Sequence, residues 1–370
     1  MYKKLYAWII FPIMIIGMIW IIFAAVDNAI SSSDNLNSTN MHSGWNRADD
    51  IIDDKLIGYD KALAVRTKLT LASGSKKVGN IYISRERLLR EPESLDEESL
   101  VSVAKSINNF YFEYSVPICM TAFPEAAEIY TECLPENLNV PSQLDSLDVL
   151  YENVDSKIRI VDSYHVLSTF KEDYIYYRTD ARCTVNGAYF LYRSLIRKMG
   201  YYPVPYDSCT ISHMRNDIYG DLYDVCLYDK VTPDIIDIYT CENSSEIVSM
   251  HSFNGQQWSD SSFYDKNALE SGDAKSYYIG KPTILTEIET NVENEKQLLI
   301  FKDSYADNML PFFTQHYSKI DIIDMNCLDR NISEIVSPSD YQQVLILCDA
   351  DTFADVGAFK YLEMESGNND

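Results

Sequence analysis

Apolar runs alternate with helical patterns along most of the chain, and this alternation is the first guide to its fold. Short continuous apolar runs predict buried strands, whereas apolar residues that recur every third or fourth position predict helices. Strands that alternate with helices favour an α/β fold with a largely parallel sheet, whose ligands bind at the carboxyl ends of the strands. The C-terminal third shows this order most clearly, with strands predicted at 297–301, 320–325 and 344–348, a helix at 306–317 and a helical turn at 338–342.

Further elements are predicted upstream by the same patterns. Gly200 stands where a glycine commonly ends a helix, directly after an amphipathic segment. The upstream predictions are helices at 142–154 and 187–199 and strands at 115–122, 158–161 and 174–177.

Residues 5–26 are apolar or aromatic and carry no charge. At about 1.5 Å per residue, a helix of this length spans roughly 33 Å and can cross a bilayer. Lys3 and Lys4 precede the segment while Asp27 and Asp34 follow it, so the positive-inside rule places the N-terminus in the cytoplasm. A cleaved signal peptide is the alternative, but the apolar stretch exceeds the usual h-region of about 7–15 residues. We therefore expect a single-pass anchor in the cell membrane.

The anchor divides the chain into regions of different character. Residues 1–26 form a short cytoplasmic tip and the membrane span. Residues 27–44 are rich in serine and asparagine and too poor in apolar residues to pack, which is typical of a flexible stalk. Residues 45–362 form the extracellular domain, and residues 363–370 are predicted to be a disordered tail.

Charge and cysteine usage exclude several classes of function. The chain has 56 acidic and 31 basic residues, a net charge of −25, whereas nucleic-acid binding depends on basic patches. We therefore predict no nucleic-acid partner. The eight cysteines contain no Cys-x-x-Cys pair, which argues against a zinc ribbon or a thioredoxin-type site. No metal and no cofactor is predicted, and the disulfide pairing stays open.

Two short runs carry the candidate chemistry. In the run 298–305, Ser304 ends an apolar strand, at the position where a nucleophile would lie. In the run 176–184, Asp180 is available as the acid of a serine-hydrolase triad.

The order and spacing of these runs resemble the DHHW proteins of Gram-positive bacteria, from about residue 80 to residue 360. DHHW proteins are related to the SGNH hydrolase-like domains of the alginate O-acetylation proteins AlgX and AlgJ. The resemblance implies a three-layer α/β/α domain of the SGNH type with a largely parallel sheet. It rests on residues 78–83, 176–180, 186–189, 233–237, 276–280, 302–306, 311–313 and 316–317.

The resemblance assigns roles position by position. Ser304 matches the family's nucleophile in the Lys-Asp-Ser-Tyr motif, and Asp180 matches the orienting aspartate of Asp-His-His-Trp. Arg182 falls where the family has its second histidine, while Ala181 and Cys183 replace the first histidine and the tryptophan. The resemblance also implies oxyanion or pocket positions at Gly280, Tyr305 and Arg178.

Arg182 is the departure with the largest chemical consequence. A serine hydroxyl is a weak nucleophile until a base accepts its proton, and an arginine stays protonated and has no lone pair to offer. Arg182 therefore either neutralises Asp180 in an ion pair or turns the pocket into a site for a carboxylate or phosphate, since a guanidinium fork fits those oxygens.

No other histidine is an obvious substitute. His42 falls in the stalk, and His316 falls about three turns along the helix predicted after Ser304. His165, His213 and His251 could fold over the site, but no motif surrounds them, so ordinary hydrogen-bonded roles are favoured.

Cysteines and tyrosines suggest two further hypotheses. Cys183 and Cys327 both replace aromatic residues of the family and could form a disulfide, although two independent thiols are favoured because cysteine behaves as a small hydrophobe. The 28 tyrosines could line a carbohydrate groove, since an aromatic ring covers a sugar face, but packing alone gives the same composition.

The resemblance sets the expected function. It implies a role in cell-surface polysaccharide O-acetylation, beside a membrane-bound O-acyltransferase that supplies the acyl group. Because of Arg182, we favour a pseudoenzyme that binds glycan or a partner protein. An active serine O-acetyltransferase or acetylesterase that uses Ser304 is the first alternative, and a structural scaffold of an envelope complex is the second.

Overall fold

The computed structural model describes residues 59–362, apart from residues 137, 139–141, 243 and 272–275. The predicted anchor, stalk and tail lie outside this part of the chain, as does His42. Within the described part, no helix combines the length and the apolar character needed to cross a bilayer.

The described residues alternate between strands and helices. The strands are β1 (Lys77–Val78), β2 (Ile81–Ile83), β3 (Leu88–Arg90), β4 (Ile118–Phe123), β5 (Arg159–Ile160), β6 (Cys209–Ile218), β7 (Asp234–Cys241), β8 (Ile247–Phe253), β9 (Trp258–Asp260), β10 (Leu285–Thr290), β11 (Gln297–Lys302), β12 (Lys319–Asp324) and β13 (Gln343–Asp349). The α-helices are α1 (Tyr59–Ala72), α2 (Glu97–Tyr114), α3 (Ala126–Ile129), α4 (Gln143–Asn153), α5 (Ser163–Thr169), α6 (Val185–Lys198), α7 (Asp221–Cys226), α8 (Lys266–Ser271), α9 (Ala350–Ala354) and α10 (Val356–Phe359).

An eight-stranded sheet organises this part of the chain, with strand order β5-β4-β13-β11-β12-β10-β8-β9. The strands from β5 to β12 in that order run parallel, and β10, β8 and β9 extend the sheet antiparallel at one edge. Strands β1 to β3 form a second sheet, and β6 pairs with β7 in a sheet of their own. The prediction of an α/β fold with a large sheet is confirmed, and the antiparallel edge adds to it.

Both faces of the large sheet are buried. Alternate residues of a strand point in opposite directions, so each central strand contributes to two hydrophobic clusters, one on each face. In β11, Leu298 and Ile300 belong to one hydrophobic cluster, while Leu299 and Phe301 belong to the other. Helix α6 contributes to the first cluster and helix α2 to the second, so helices cover the sheet on both sides. Burial on both faces explains why the central strands are almost continuously apolar.

Helix α6 holds the candidate-site loop against the core. It begins at Thr184, whose hydroxyl accepts a hydrogen bond from the backbone N–H of Gly187, and it ends just before Gly200, which adopts φ +97°. A Cβ at Gly187 would lie 2.2 Å from the carbonyl oxygen of Ile175. Glycine at this position therefore lets the helix approach the segment that leads to the loop.

The segment after Ser304 differs from its prediction. The helix predicted at 306–317 is wrong, because two short 3₁₀ helices, Ser304–Ala306 and Leu310–Gln315, occupy this segment. Pro311 has no N–H to donate to a helical hydrogen bond, which favours a break in front of it.

One disulfide forms among the described residues, and it joins Cys209 to Cys241 across the β6–β7 hairpin. The hypothesis of a bond between Cys183 and Cys327 is wrong, because both thiols are free. Cys183 is fully buried in the core, in agreement with the favoured alternative of independent thiols.

Candidate active site

Ser304 lies at the carboxyl end of β11. The strand ends at Lys302, and the next residue is Asp303, whose carboxylate accepts a hydrogen bond of 2.9 Å from the backbone N–H of Tyr305 and so caps the first 3₁₀ helix. Side chains three and four positions apart on a helical turn share one face. Ser304, Asp307 and Asn308 have this spacing, and all three line one pocket.

A tight loop brings Asp180 and Arg182 to the same pocket. The two sides of the loop meet in an isolated bridge between Tyr176 and Cys183. This bridge is all that forms of the strand predicted at 174–177, so that prediction is wrong in extent. The reason is that the chain reverses within the loop and meets itself instead of joining a neighbouring strand.

Asp180 and Arg182 form a two-point ion pair. Asp180 Oδ1 accepts hydrogen bonds from the backbone N–H of Arg182 at 2.9 Å and from Nε at 2.8 Å, and Oδ2 accepts from a terminal nitrogen at 2.8 Å. The two side chains are only 5% and 11% exposed. A Cβ at Gly220 would lie 2.4 Å from Asp180 Cβ, so the backbone at Gly220 closes the other side of the carboxylate. Two parallel hydrogen bonds to a guanidinium are the strongest arrangement of such a pair.

The pocket is narrow. Its volume is about 350 Å³ when the open mouth is included, but only about 10 Å³ is accessible to the centre of a water-sized sphere. That space holds roughly one water molecule. The lining residues are Tyr177, Asp180, Arg182, Ile218, Gly220, Asp234, Ile236, Tyr278, Ser304, Asp307 and Asn308.

Several of the charges around the pocket are paired within the protein. Burial disfavours the charged form of Arg182, but the neighbouring Asp180 carboxylate outweighs it and holds the arginine pKa well above its ordinary value. Lys302 is buried and donates to Asp307 Oδ1 at 2.7 Å and to Asp324 Oδ2 at 2.6 Å. Burial raises the pKa of Asp307 to about 6, although the Lys302 ammonium opposes the shift.

Gly280, Tyr305 and Arg178 do not line this pocket. The Tyr305 hydroxyl bonds instead with Arg90 and Glu125 on the other side of the 3₁₀ helix. The Arg178 guanidinium lies 4.2 Å from the centre of the Tyr174 ring, and Gly280 is a turn residue with φ +76°. The structure thus brings Ser304, Asp180 and Arg182 together and places the other three predicted residues outside the group.

Among the described residues, no histidine lines the pocket. His213 and His251 pair with aspartates on exposed hairpins, and His165 lies on the exposed face of α5. His316 is buried, with Nε2 2.7 Å from the hydroxyl of Tyr192, and burial lowers its pKa to about 4. Nor does this part of the chain contain a group of three or more His, Cys, Asp or Glu side chains placed to hold a metal ion.

On the turn after Ser304, sequence reasoning missed the polar pocket residues Asp307 and Asn308. Their spacing from Ser304 is the signal that could have found them, since it matches one face of a helical turn. The prediction that a helix begins at residue 306 hid this signal, because it separated Ser304 from the turn that follows it.

The model of the DHHW protein family matches residues 104–323. The chain belongs to the DHHW family. The resemblance inferred from the sequence motifs is thereby confirmed. Comparison with curated proteins gives no match.

Several solved structures are similar to this chain. A DHHW family protein from Eubacterium siraeum is similar with a TM-score of 0.64 at 19% identity, over 78% of this chain and 99% of the other. PatB1 from Bacillus cereus, solved with a sulfonyl adduct, is similar with a TM-score of 0.63 at 17% identity, over 76% of this chain and 98% of PatB1. The O-acetyltransferase domain of Pseudomonas putida AlgJ gives a TM-score of 0.46 at 12% identity, over 75% and 93% of the two chains.

Proposed function

We propose that this DHHW protein is a pseudoenzyme that binds glycan at the pocket beside Ser304 and does not turn substrate over. The observation that carries the proposal is the two-point ion pair between Asp180 and Arg182 in that pocket. Asp180 would orient a base in a working triad, but here both of its oxygens are bonded to an arginine.

The missing base has a predictable cost. A guanidinium keeps its protons and cannot accept the proton of a serine hydroxyl. In subtilisin, loss of the catalytic histidine lowers turnover by about 10⁶. A comparable loss here would leave Ser304 close to the reactivity of an ordinary serine.

The size of the pocket supports the same proposal. Formation of an acyl-serine requires room for an acyl group beside Ser304, and the accessible space of about 10 Å³ is close to that of one water molecule. An acetyl group is larger than water, so the pocket would have to open before an ester could form.

The cellular setting is part of the proposal. The charge-free segment 5–26 would anchor the chain with its N-terminus in the cytoplasm and its SGNH-type three-layer domain outside. In this position the domain would meet cell-surface polysaccharide, beside a membrane-bound O-acyltransferase of the same O-acetylation system. Protease added to intact cells should digest the domain; protection until the cells are lysed would contradict this orientation.

Acetyl-ester hydrolysis tests the proposed loss of catalysis. The full-length chain in detergent, Ser304→Ala and Arg182→His would be compared for turnover and for labelling of Ser304 by a sulfonyl fluoride, the class of reagent suggested by the adduct on PatB1. We expect no difference between wild type and Ser304→Ala, and a Ser304-dependent gain in Arg182→His. Wild-type turnover that Ser304→Ala abolishes would refute the proposal.

A second candidate function is a slow esterase or O-acetyltransferase in which Asp307 serves as the base. The observation that favours it is the Asp307 carboxyl, which shares the pocket with Ser304 and whose pKa burial raises to about 6, close to the working range of a general base. In that case, turnover would be lost in both Ser304→Ala and Asp307→Asn and would rise with pH through about 6 in the wild type.

A further inference from the structure

Asn308 presents a buried acceptor that no protein group satisfies. Its Nδ2 donates a 2.6 Å hydrogen bond to the carbonyl oxygen of Cys183, which fixes the orientation of the amide, since two oxygens in this contact would repel. Oδ1 is therefore the other amide atom, and it has no partner among the described residues although Asn308 is only 5% exposed. A buried acceptor without a partner is rare in native proteins and calls for an explanation.

Two further acceptors stand beside Asn308 on the same turn. Lys302 bonds to Oδ1 of Asp307, which leaves Oδ2 of this pocket-lining residue as its second acceptor. The Ser304 hydroxyl supplies a third oxygen with lone pairs. The three residues that carry these acceptors are spaced as one face of a helical turn, and all three line a pocket whose accessible space is about the size of a water molecule.

The charge of the lining opposes an anionic ligand. Three carboxylates, those of Asp180, Asp234 and Asp307, against the single guanidinium of Arg182 leave a formal charge of −2 on the lining. Lys302 and Asp324 behind the pocket add one charge of each sign and leave the balance unchanged. The guanidinium fork of Arg182 is already directed at Asp180. The carboxylate or phosphate site considered from the sequence is therefore disfavoured.

We propose that this space binds the primary ammonium group of an amino sugar. An ammonium group offers three donors to the three acceptors, has about the size of the available space, and carries the charge that the lining lacks. A sugar hydroxyl offers one donor and no charge, and an N-acetyl group is too large for the space. The inference rests on the proposed function, because it assumes that the pocket holds glycan.

Three oligosaccharides that differ only at C2 test the proposal by calorimetry on the full-length chain in detergent. The β-1,4-linked hexamers of glucosamine, N-acetylglucosamine and glucose present an ammonium, an acetamide and a hydroxyl on the same backbone. At pH 6.5, where a large share of the sugar amines is protonated and Asp307 is mostly ionised, and about 0.15 M salt, we expect the glucosamine hexamer to bind at least about tenfold more tightly than the other two.

Matched variants distinguish binding at this pocket from general electrostatic attraction between the cationic hexamer and an acidic protein. Asp307→Asn replaces an acceptor with a donor, and Asp217→Asn removes the same charge from an exposed hairpin. The preference for glucosamine should disappear in Asp307→Asn and stay unchanged in Asp217→Asn. Asn308→Leu, which removes the unsatisfied acceptor, gives a second variant in case Asp307→Asn does not fold.

The pH dependence provides an independent readout. Binding should weaken as the pH falls from 6 to 4.5, because Asp307 gains a proton while the ligand, already mostly protonated at pH 6, gains little further charge. The charged groups that act on Asp307 are Lys302, Asp324 and Arg182, and the lysine and the arginine keep their protons in this range.

Each outcome has a distinct meaning. Equal or tighter binding of a neutral hexamer overturns the ammonium inference and leaves the glycan-binding proposal standing. A glucosamine preference that survives in Asp307→Asn and Asn308→Leu also overturns the inference, since it would arise elsewhere on the surface. If none of the three hexamers binds, both the inference and the glycan-binding proposal are wrong.

Discussion

Two partly buried arginines lie near Ser304, and they differ in how far along the chain their partners lie. Arg182 pairs with Asp180, two positions away in the same loop. Arg90, on β3, bonds to Glu125, to the Tyr305 hydroxyl at 2.8 Å and to Asp351 at 3.2 Å, which lie 35, 215 and 261 positions away in the chain.

The comparison shows what each arginine contributes. Arg90 joins segments from distant parts of the chain, so its loss would free several elements at once. Arg182 forms its two-point ion pair within one short loop, and it also interacts electrostatically with Asp221 and Asp307 around the pocket. The first arginine therefore joins β3 to the segments that follow the central strands β4, β11 and β13, whereas the second mainly determines the chemistry of the pocket.

Arg90→Met should have the largest effect. It leaves Glu125, whose side chain is 4% exposed, buried without its cation, and removal of one partner from a buried pair costs about 3–5 kcal/mol. We expect a loss of that order in the free energy of unfolding at pH 7, measured by urea denaturation of the full-length chain.

A pH series checks the cause of this loss. Burial already raises the pKa of Glu125 in the native protein, and removal of Arg90 takes away the largest opposing influence. The folded variant then binds a proton that the unfolded chain does not, so the variant should recover part of its stability as the pH falls from 7 towards 5. Arg85→Met, at an exposed position nearby, is the control and should show neither change.

Arg182→Met should lower the free energy of unfolding by a smaller amount, about 1–3 kcal/mol, in the same urea assay. Asp180 keeps the hydrogen bond from the backbone N–H of residue 182 at 2.9 Å, which a methionine provides equally well. A loss as large as that of Arg90→Met would show that the loop pair stabilises the fold beyond its own loop.

Arg215→Met is the matched comparison for the loop pair. Arg215 bonds to both oxygens of Asp217, also two positions away and at 2.8 Å, but the aspartate side chain is 65% exposed. Exposed pairs of this kind contribute little, and Arg215 Nη1 also donates a 2.7 Å hydrogen bond to the carbonyl oxygen of Leu269, so we expect only a small loss in the free energy of unfolding, below that of Arg182→Met. A change equal to that of Arg182→Met would mean that burial does not explain the difference between the two pairs.

The sequence predicts the ion pair between residues that are close along the chain and misses the ion pair between residues that are far apart. Asp180 and Arg182 lie in one motif, so their pairing could be inferred from spacing and charge alone. Arg90 and Glu125 meet only because β3 and the residue before α3 converge after folding, and no local pattern records that contact.

The same difference between local and distant contacts explains which elements of the fold were predicted. Strand β11 and helix α6 were predictable because apolar periodicity and caps are local signals. The antiparallel edge formed by β8 and β10 was not, because its pairing joins residues about 35 positions apart along the chain. Asp307 escaped notice for a third reason: a 3₁₀ helix gave the turn after Ser304 a shape that the helical pattern did not indicate.

The β6–β7 hairpin supplies Ile218, Asp234 and Ile236 to the pocket wall, although it forms a sheet separate from the large one and carries its own disulfide. Because these wall residues belong to a separate sheet, they could be replaced without altering the large sheet. A hairpin taken from another family member could be grafted between its two ends while the strand that carries Ser304 and the sheet beneath it stay untouched. Such a graft would change the selectivity of the pocket without a change in the sheet that carries Ser304.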